Sequence, residues 1–588
     1  MHEPQPAHRL TALSIIIAVL VGVLTVRLWQ LQVLQGAYYL QLSEDNRVRD
    51  YALTAPRGVI YDRRGRPLVT NRPSFTVAVL PLEMRAPAEV LPRLAALLDV
   101  PLREIQDKID AGAQRPFEPV RIRRDVGQSA VTRVEENRLD LPGVVILVEP
   151  VRSYLHGKIV AHVLGHLGEV SERQLTELRD AGYKPGDLIG KDGVERAYEG
   201  VLRGTDGRLR VEVDAMGRPL RVLSRVAPSP GRSIVLTIDL DLQKAAYDAL
   251  RKSGHRSGAV VALDPRNGDV LAMVSLPAYD PNQFAIGISA KAWKMVTADP
   301  LHPLLNRASG AAFEPGSVFK LVTATAALQE GIATRSSVFY APGFFRLGRW
   351  VWRDLGVWGN VNFITGIANS INVVFYTLGY RLGGERLAAY ARLMGLGQRT
   401  GIDLPGEVSG TIPSPSTKQQ LVGEPWYPGD AVNMSIGQGA VTITPLQAAR
   451  LMAFVANNGR LLQPRLLLMV TERDGRTQRM PAVVLSTAHF AAATFATLHE
   501  GLLAVVERGT GRASRIEGLL VGGKTGSAEN PRGKPHAWFA GYAPADHPRL
   551  VLVAFVEHGY RGGRTAAPIV RAVLTTAFPN VVPQESAP

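Results

Sequence analysis

The sequence predicts an α+β protein in which a five-stranded antiparallel sheet carries a helical subdomain, behind a membrane-proximal domain and a single N-terminal transmembrane helix. Three observations carry this expectation. An uncharged, mostly apolar run opens the chain, strand-like apolar segments lie at both ends of the C-terminal part, and helical patterns precede, separate and follow them. At 588 residues the chain is too long for one ordinary core. With 46% hydrophobic and 20% charged residues it has the make-up of folded domains rather than long disorder.

The apolar run is Leu10 to Val26, LTALSIIIAVLVGVLTV. As a helix it spans roughly 25 Å at about 1.5 Å per residue, slightly short for a bilayer. The pattern continues through RLWQLQVL, where Arg27 can snorkel and Trp29 can sit at the interface, so residues 10–32 are expected to form the anchor. No small-x-small cleavage site follows, which favours an uncleaved anchor over a signal peptide. Residues 1–9 are then a cytoplasmic tail, and nearly everything after the span lies outside the cytoplasm. LQVLQGAYYLQLSEDNRVRDY reads as a helix that rises from the membrane and ends before Tyr51. Short strands follow, with turns at Arg64-Gly65 and at Asn71-Arg72-Pro73. From about Arg85 to Leu202, helical stretches alternate with Gly/Pro breaks and carry no catalytic constellation, so residues 33–230 are expected to form a pedestal or docking domain.

VAPSPGRS, Val226 to Ser233, marks a boundary, and residues 231–580 form the catalytic domain, followed by a tail at 581–588. SIVLTIDLDLQKAAYDALRK is a strand running into an amphipathic helix. GAVVALDPRNGDVLAMVS is a hairpin turning at Asp264 to Gly268. GLLVGGKTGSAE, HAWFAGYAP and RLVLVAFVEHG supply three more strands, and APIVRAVLTTAF a closing helix.

The net charge of +15 would suit nucleic acid, an anionic membrane surface or an acidic polymer. No helical basic stripe or RNA-binding signature selects nucleic acid, and a solvated arginine-rich surface accounts for the charge. The absence of cysteine excludes disulfides and thiolate metal sites and suits an exported protein.

One constellation carries chemistry. FEPGSVFK places Ser317 and Lys320 three apart behind a Pro-Gly pair, SIN places Ser370 and Asn372 at i and i+2, and Lys524-Thr525-Gly526 follows two glycines on a strand-like segment. Each alone is weak, since S-x-x-K recurs by chance in a chain this long. In this order, S-x-x-K, S-x-N and K-T-G are the recognised signature of penicillin-binding proteins and active-site serine β-lactamases. A serine hydroxyl attacks an acyl group only when a base takes its proton, and Lys320 serves as that base only when neutral. Burial and a second cation, Lys524, would both lower its pKa. The Ser370 hydroxyl would relay protons, and the Asn372 amide would donate to substrate peptide bonds. Backbone N–H groups of Ser317 and Ser527 would form an oxyanion hole. Thr525 and Ser527, beside Lys524, would hold a substrate carboxylate. His162 and His166 stand four apart, the spacing of a helical metal pair, but a glycine intervenes and no third ligand is evident. His536 reads as a structural strand-edge residue.

From the anchor nearly to the last helix the chain resembles a class B penicillin-binding protein. The likeness includes RGVIYDRRGRPL, GKDGVERAYEGVLRGTDGR and MSIGQGAVTITPLQAARLMAFVANNG beside the three motifs. AYDPNQFAIGISAKAWKMV and WVWRDLGVWGNVNF resemble the elongation-specific branch of that class, penicillin-binding protein 2. The resemblance implies a transpeptidase in which Ser317 attacks the D-Ala-D-Ala bond of a peptidoglycan stem peptide, and β-lactams trap the same serine. It also implies a SEDS-family glycosyltransferase of the rod-shape type as partner. Some members resembling this branch bind zinc through Asp, Asp, His and Cys. Here the matching stretch offers Ala341, Asp354 and Asn360 and the chain has no cysteine, so no metal or other cofactor is expected, and packing of Trp350, Trp352 and Trp358 should hold the loop. The alternatives are a division-specific transpeptidase, a β-lactamase, for which no deacylating carboxylate is evident, and a non-catalytic β-lactam sensor.

Overall fold

The computed structural model describes residues 6–39, 48–111, 118–214, 219–530 and 533–581. Parts of the two predicted tails, at 1–5 and 582–588, and residues 40–47 of the predicted membrane-exit helix lie outside them. Helix α1 (Pro6–Trp29) continues through a π-helical turn at Gln30–Leu34. Leu10–Leu34 form a 25-residue apolar span with mean hydropathy 2.3, long enough to cross a membrane. Its side chains are exposed from Leu10 to Trp29, as a lipid-facing helix requires and a core helix does not allow.

The chain folds into two units, one made of Met1–Pro56, Pro73–Pro150 and Thr205–Ser229, the other of Arg57–Arg72, Val151–Gly204 and Pro230–Pro588. In the first unit Val48–Leu53 is a strand, where the sequence pattern predicts the end of a helix. It pairs antiparallel with Gly207–Val213 over six residues, from Val48 opposite Glu212 to Leu53 opposite Gly207, and this distant pairing overrides the local pattern. Helices Pro87–Leu98, Leu102–Ala111 and Gln128–Glu136 bury Leu94, Leu98, Ile105 and Val134 with Val77, Val79 and Ile122. The turn predicted at Asn71-Arg72-Pro73 is absent, because one strand runs from Pro67 to Val79. Pro73 falls between the stretch paired with Ile60–Tyr61 and the stretch paired with Val120–Val126.

In the second unit the Arg64-Gly65 turn forms as predicted, the Asp62 carboxylate accepting the backbone N–H groups of Arg64 and Arg66 at 2.9 and 2.8 Å. Ile60–Tyr61 pairs in parallel with Ser233–Leu236. Beside it, Arg57 and Arg152 share Glu195 at 2.8 and 2.7 Å, joining the RGVIYDRRG and GKDGVERAYEG segments far apart in sequence. Burial pushes the Glu195 carboxyl up, but the two guanidinium groups outweigh it and hold the carboxyl below its ordinary range.

The catalytic sheet consists of β1 (Gly258–Leu263), β2 (Val270–Leu276), β3 (Gly522–Asn530), β4 (Gly533–Ala543) and β5 (Leu550–Val556). Its order is β2-β1-β5-β4-β3 and every pairing is antiparallel. Both faces are covered, which is why β5 reads as an unbroken apolar run. Leu552, Ala554 and Val556 join one core with helices α2 (Leu240–Lys252) and α3 (Gly562–Ala577). Val551, Val553 and Phe555 join the other, built from the helical subdomain that lies between β2 and β3 in sequence. Strand β3 therefore ends as an edge, facing that subdomain.

Candidate active site

A 3₁₀ turn at Gly316–Val318 carries Ser317 and runs into the helix Lys320–Gln329, so the serine sits just ahead of the α-helix rather than in its first turn. The turn is braced from outside the predicted motifs. Gly316 N–H donates to the Gly437 carbonyl at 3.0 Å, and a Cβ on Gly437 would stand 2.2 Å from the Gly316 carbonyl oxygen. Only glycine tolerates that approach together with the positive φ of 71° at Gly437.

Lys320 and Lys524 are both fully buried, and they converge on Ser370. Lys320 Nζ donates to the Ser370 carbonyl at 2.8 Å and to Asn372 Oδ1 at 2.6 Å, and lies 3.2 Å from Ser370 Oγ. Lys524 Nζ lies 2.8 Å from the same hydroxyl and donates to its neighbour's carbonyl, Thr525 O, at 3.0 Å. Ser370 has φ 56°, the left-handed region that a residue with a Cβ rarely adopts, and this backbone aims its hydroxyl between the lysines. Ser317 and Lys320 form no hydrogen bond, and among the described residues the Ser317 hydroxyl has no partner. Lys320 is instead drawn to the SIN turn by two oxygens that can only accept.

Burial first, and the neighbouring Lys524 charge second, push Lys320 well below the ordinary lysine range, with Asp354 pulling weakly the other way. Burial alone brings Lys524 to about 7. A neutral Lys320 has two N–H donors and one lone pair. The Ser370 carbonyl and Asn372 Oδ1 take the donors, so the lone pair is left for a hydroxyl. Phe375, one helical turn beyond Asn372, places its ring 4.9 Å from Lys320 Nζ and helps exclude water.

On β3, a Cβ added to Gly316 would stand 2.9 Å from the Ser527 carbonyl oxygen, so that carbonyl points off the free edge toward the Ser317 turn. A strand residue sends its N–H and C=O to the same side, which turns the Ser527 N–H toward Ser317 as well. Gly526 permits the approach, since a Cβ there would lie 2.9 Å from Pro315 O. The Thr525 hydroxyl pairs with that of Thr510 at 2.6 Å, and the Ser527 hydroxyl accepts the Gly562 N–H at 3.2 Å. Thr510, Gly437 and Phe375 are the residues the motifs did not reveal.

The histidines set apart above are structural. Buried His162 bonds the Pro303 carbonyl through Nε2 at 2.8 Å, and His166 meets the Tyr279 hydroxyl at 3.3 Å. His536 accepts the His558 backbone N–H at 3.2 Å. The loop 341–360 is not held by its three tryptophans. Trp350 and Trp358 are 61% and 39% exposed, and Trp352 alone is partly covered, donating to Asn433 Oδ1 at 2.8 Å. Nor do its residues fit a zinc ion, because Ala341 and Asn360 offer no anionic or imidazole ligand there and the Asp354 carboxylate is already bonded to the main chain.

Fold and site define a penicillin-binding transpeptidase. The family model for the penicillin-binding protein transpeptidase domain matches residues 258–575, and that for the penicillin-binding protein dimerisation domain matches 52–236. The chain belongs to the class B penicillin-binding proteins. It is 33% identical over 565 residues to peptidoglycan D,D-transpeptidase MrdA of Acinetobacter baumannii, covering 92% of this chain and 84% of that protein. The solved complex of PBP2 with MreC from Helicobacter pylori superposes with a TM-score of 0.77 at 25% identity, covering 91% of this chain and 99% of that one. A chain from a peptidoglycan synthase complex that coordinates polymerization and crosslinking superposes with a TM-score of 0.70 at 33% identity, covering 98% and 99%.

Proposed function

We propose that this protein is the elongation-specific peptidoglycan D,D-transpeptidase of its cell, anchored in the cytoplasmic membrane with its catalytic unit on the outer side. One observation carries the chemistry, the single Ser370 hydroxyl within hydrogen-bond reach of two buried lysines at 3.2 and 2.8 Å. The Lys524 ammonium, with the Thr525 and Ser527 hydroxyls, holds the terminal carboxylate of a stem peptide ending in D-Ala-D-Ala. Asn372 Nδ2, its Oδ1 occupied by Lys320, donates to the peptide backbone.

Neutral Lys320 takes the Ser317 proton as Oγ bonds to the carbonyl carbon of the penultimate D-alanine, a contact that tightens only once substrate is bound. The oxyanion lies against the Ser317 and Ser527 N–H groups. As the C–N bond breaks, the proton passes from Lys320 through the Ser370 hydroxyl to the departing D-alanine amine. An acceptor-strand amine then attacks the ester, its proton returns by the same route to Ser317, and the cross-link leaves. A β-lactam enters as the donor peptide does and stays on Ser317, because its ring-opened amine cannot diffuse away. A SEDS-family glycosyltransferase of the rod-shape type would supply new glycan. The likeness to a chain of a peptidoglycan synthase complex supports that pairing.

The test is depletion in the native host with wild-type or Ser317→Ala copies supplied back. Rounded cells rescued only by the wild type support the reading. Filaments with blocked septa would assign the protein to division instead.

A further inference from the structure

Asp354 closes the hairpin formed by Phe344–Leu347 and Trp350–Arg353. Its N–H donates to the Gly343 carbonyl at 2.8 Å, and one carboxylate oxygen accepts the Leu355 N–H at 2.7 Å. The other oxygen reaches 19 residues along the chain to accept the Val373 N–H at 2.9 Å. Val373 is the second residue of the helix Asn372–Leu393, whose first-turn N–H groups have no partner within the helix. An anion there also meets the positive end of the helix dipole. The three residues before Val373 are the SIN motif, with Asn372 gripping Lys320 and Ser370 held in its left-handed conformation. No side chain of Ile371, the residue that caps this helix, bonds to the first turn. The carboxylate from the hairpin takes that place.

We propose that Asp354 is a positioning residue for the acylation step, fastening the SIN turn through the Val373 N–H and holding without metal a loop whose residues do not fit zinc. The inference rests on the reading of Ser317 and Lys320 as nucleophile and base. The charges that act on Lys320 are Lys524, which favours its neutral form, and Asp354, which opposes it. Replacing Asp354 by asparagine therefore keeps an acceptor for Val373 while removing a charge that works against the base. A purely electrostatic or metal-ligand role would make asparagine and alanine act alike, since both remove the charge.

The experiment labels the full-length protein in detergent with a fluorescent penicillin, separating the acylation rate constant from the reversible binding constant. Asp354→Ala should lower the rate constant by about tenfold or more with little change in reversible binding, and Asp354→Asn should stay within about threefold of wild type. Wild-type protein treated with a chelator should label at an unchanged rate and carry no stoichiometric zinc by elemental analysis. Equal rates for wild type and Asp354→Ala, equal losses in both variants, or one zinc per chain whose removal slows labelling would each overturn the proposal. The chelator comparison stands even if Asp354→Ala does not fold. Ser317→Ala, expected to abolish labelling altogether, tests the underlying reading separately.

Discussion

Replacing Lys524 with methionine should move the pH dependence of acylation upward. The two lysine nitrogens lie 3.2 and 2.8 Å from one hydroxyl oxygen, so they are at most about 6 Å apart. At an effective dielectric of about 20, two unit charges at that separation repel by about 3 kcal/mol, about a hundredfold in an equilibrium constant. Lys320 loses its proton at lower pH partly because a protonated Lys524 is there. Methionine removes that repulsion while filling similar volume, so Lys320 stays protonated to higher pH. The alkaline rise in fluorescent-penicillin labelling should shift to higher pH, and below the wild-type midpoint labelling should be about a hundredfold slower. Loss of the carboxylate contact lowers the plateau too, so the midpoint is the informative quantity, fitted from complete rate profiles. A midpoint that stays put or moves down would refute the coupling between the lysines.

Three further outcomes follow from the same geometry. Lys524 sits at about 7 in the fold against 10.5 ordinarily, so between those values the unfolded chain binds the additional proton and stability rises with pH. The Lys524 part of that rise amounts to about 5 kcal/mol, and urea midpoints should rise less steeply with pH in Lys524→Met, where only the Lys320 part is left. Gly437→Ala, with its Cβ 2.2 Å from the Gly316 carbonyl oxygen, should cost more than about 3 kcal/mol in the same unfolding assay and abolish acylation. Ser370→Gly and Ser370→Ala should both lose the proton relay, but glycine relieves the positive φ, so its protein should be about 1 kcal/mol more stable than the alanine variant by thermal unfolding.

Much of this was legible because it is local in sequence. A 25-residue apolar span, the Asp264–Gly268 turn and the alternating core faces of β1 to β5 are written in consecutive residues. The three motifs named the lysines and serines, and the fold brings them together at Ser370. What the sequence hid depends on partners far along the chain. Val48–Leu53 becomes a strand because Gly207–Val213 is there to pair with it, and Pro73 sits within a strand because the partners change at that point. Thr510 meets Thr525 across a helix-to-strand connection, and Gly437 matters only because it touches Gly316. The tryptophan-rich loop misled for a related reason. Aromatic content suggested packing, whereas a single carboxylate bonded to Val373 does what the exposed Trp350 and Trp358 do not.

The most direct test of the account is where penicillin attaches. After reaction of the full-length protein with benzylpenicillin, intact mass should rise by one penicillin, and peptide mapping should place it on Ser317 within FEPGSVFK, with Ser317→Ala left unmodified. An adduct on any other residue, or undiminished labelling of Ser317→Ala, would contradict the assignment on which the rest of the mechanism depends.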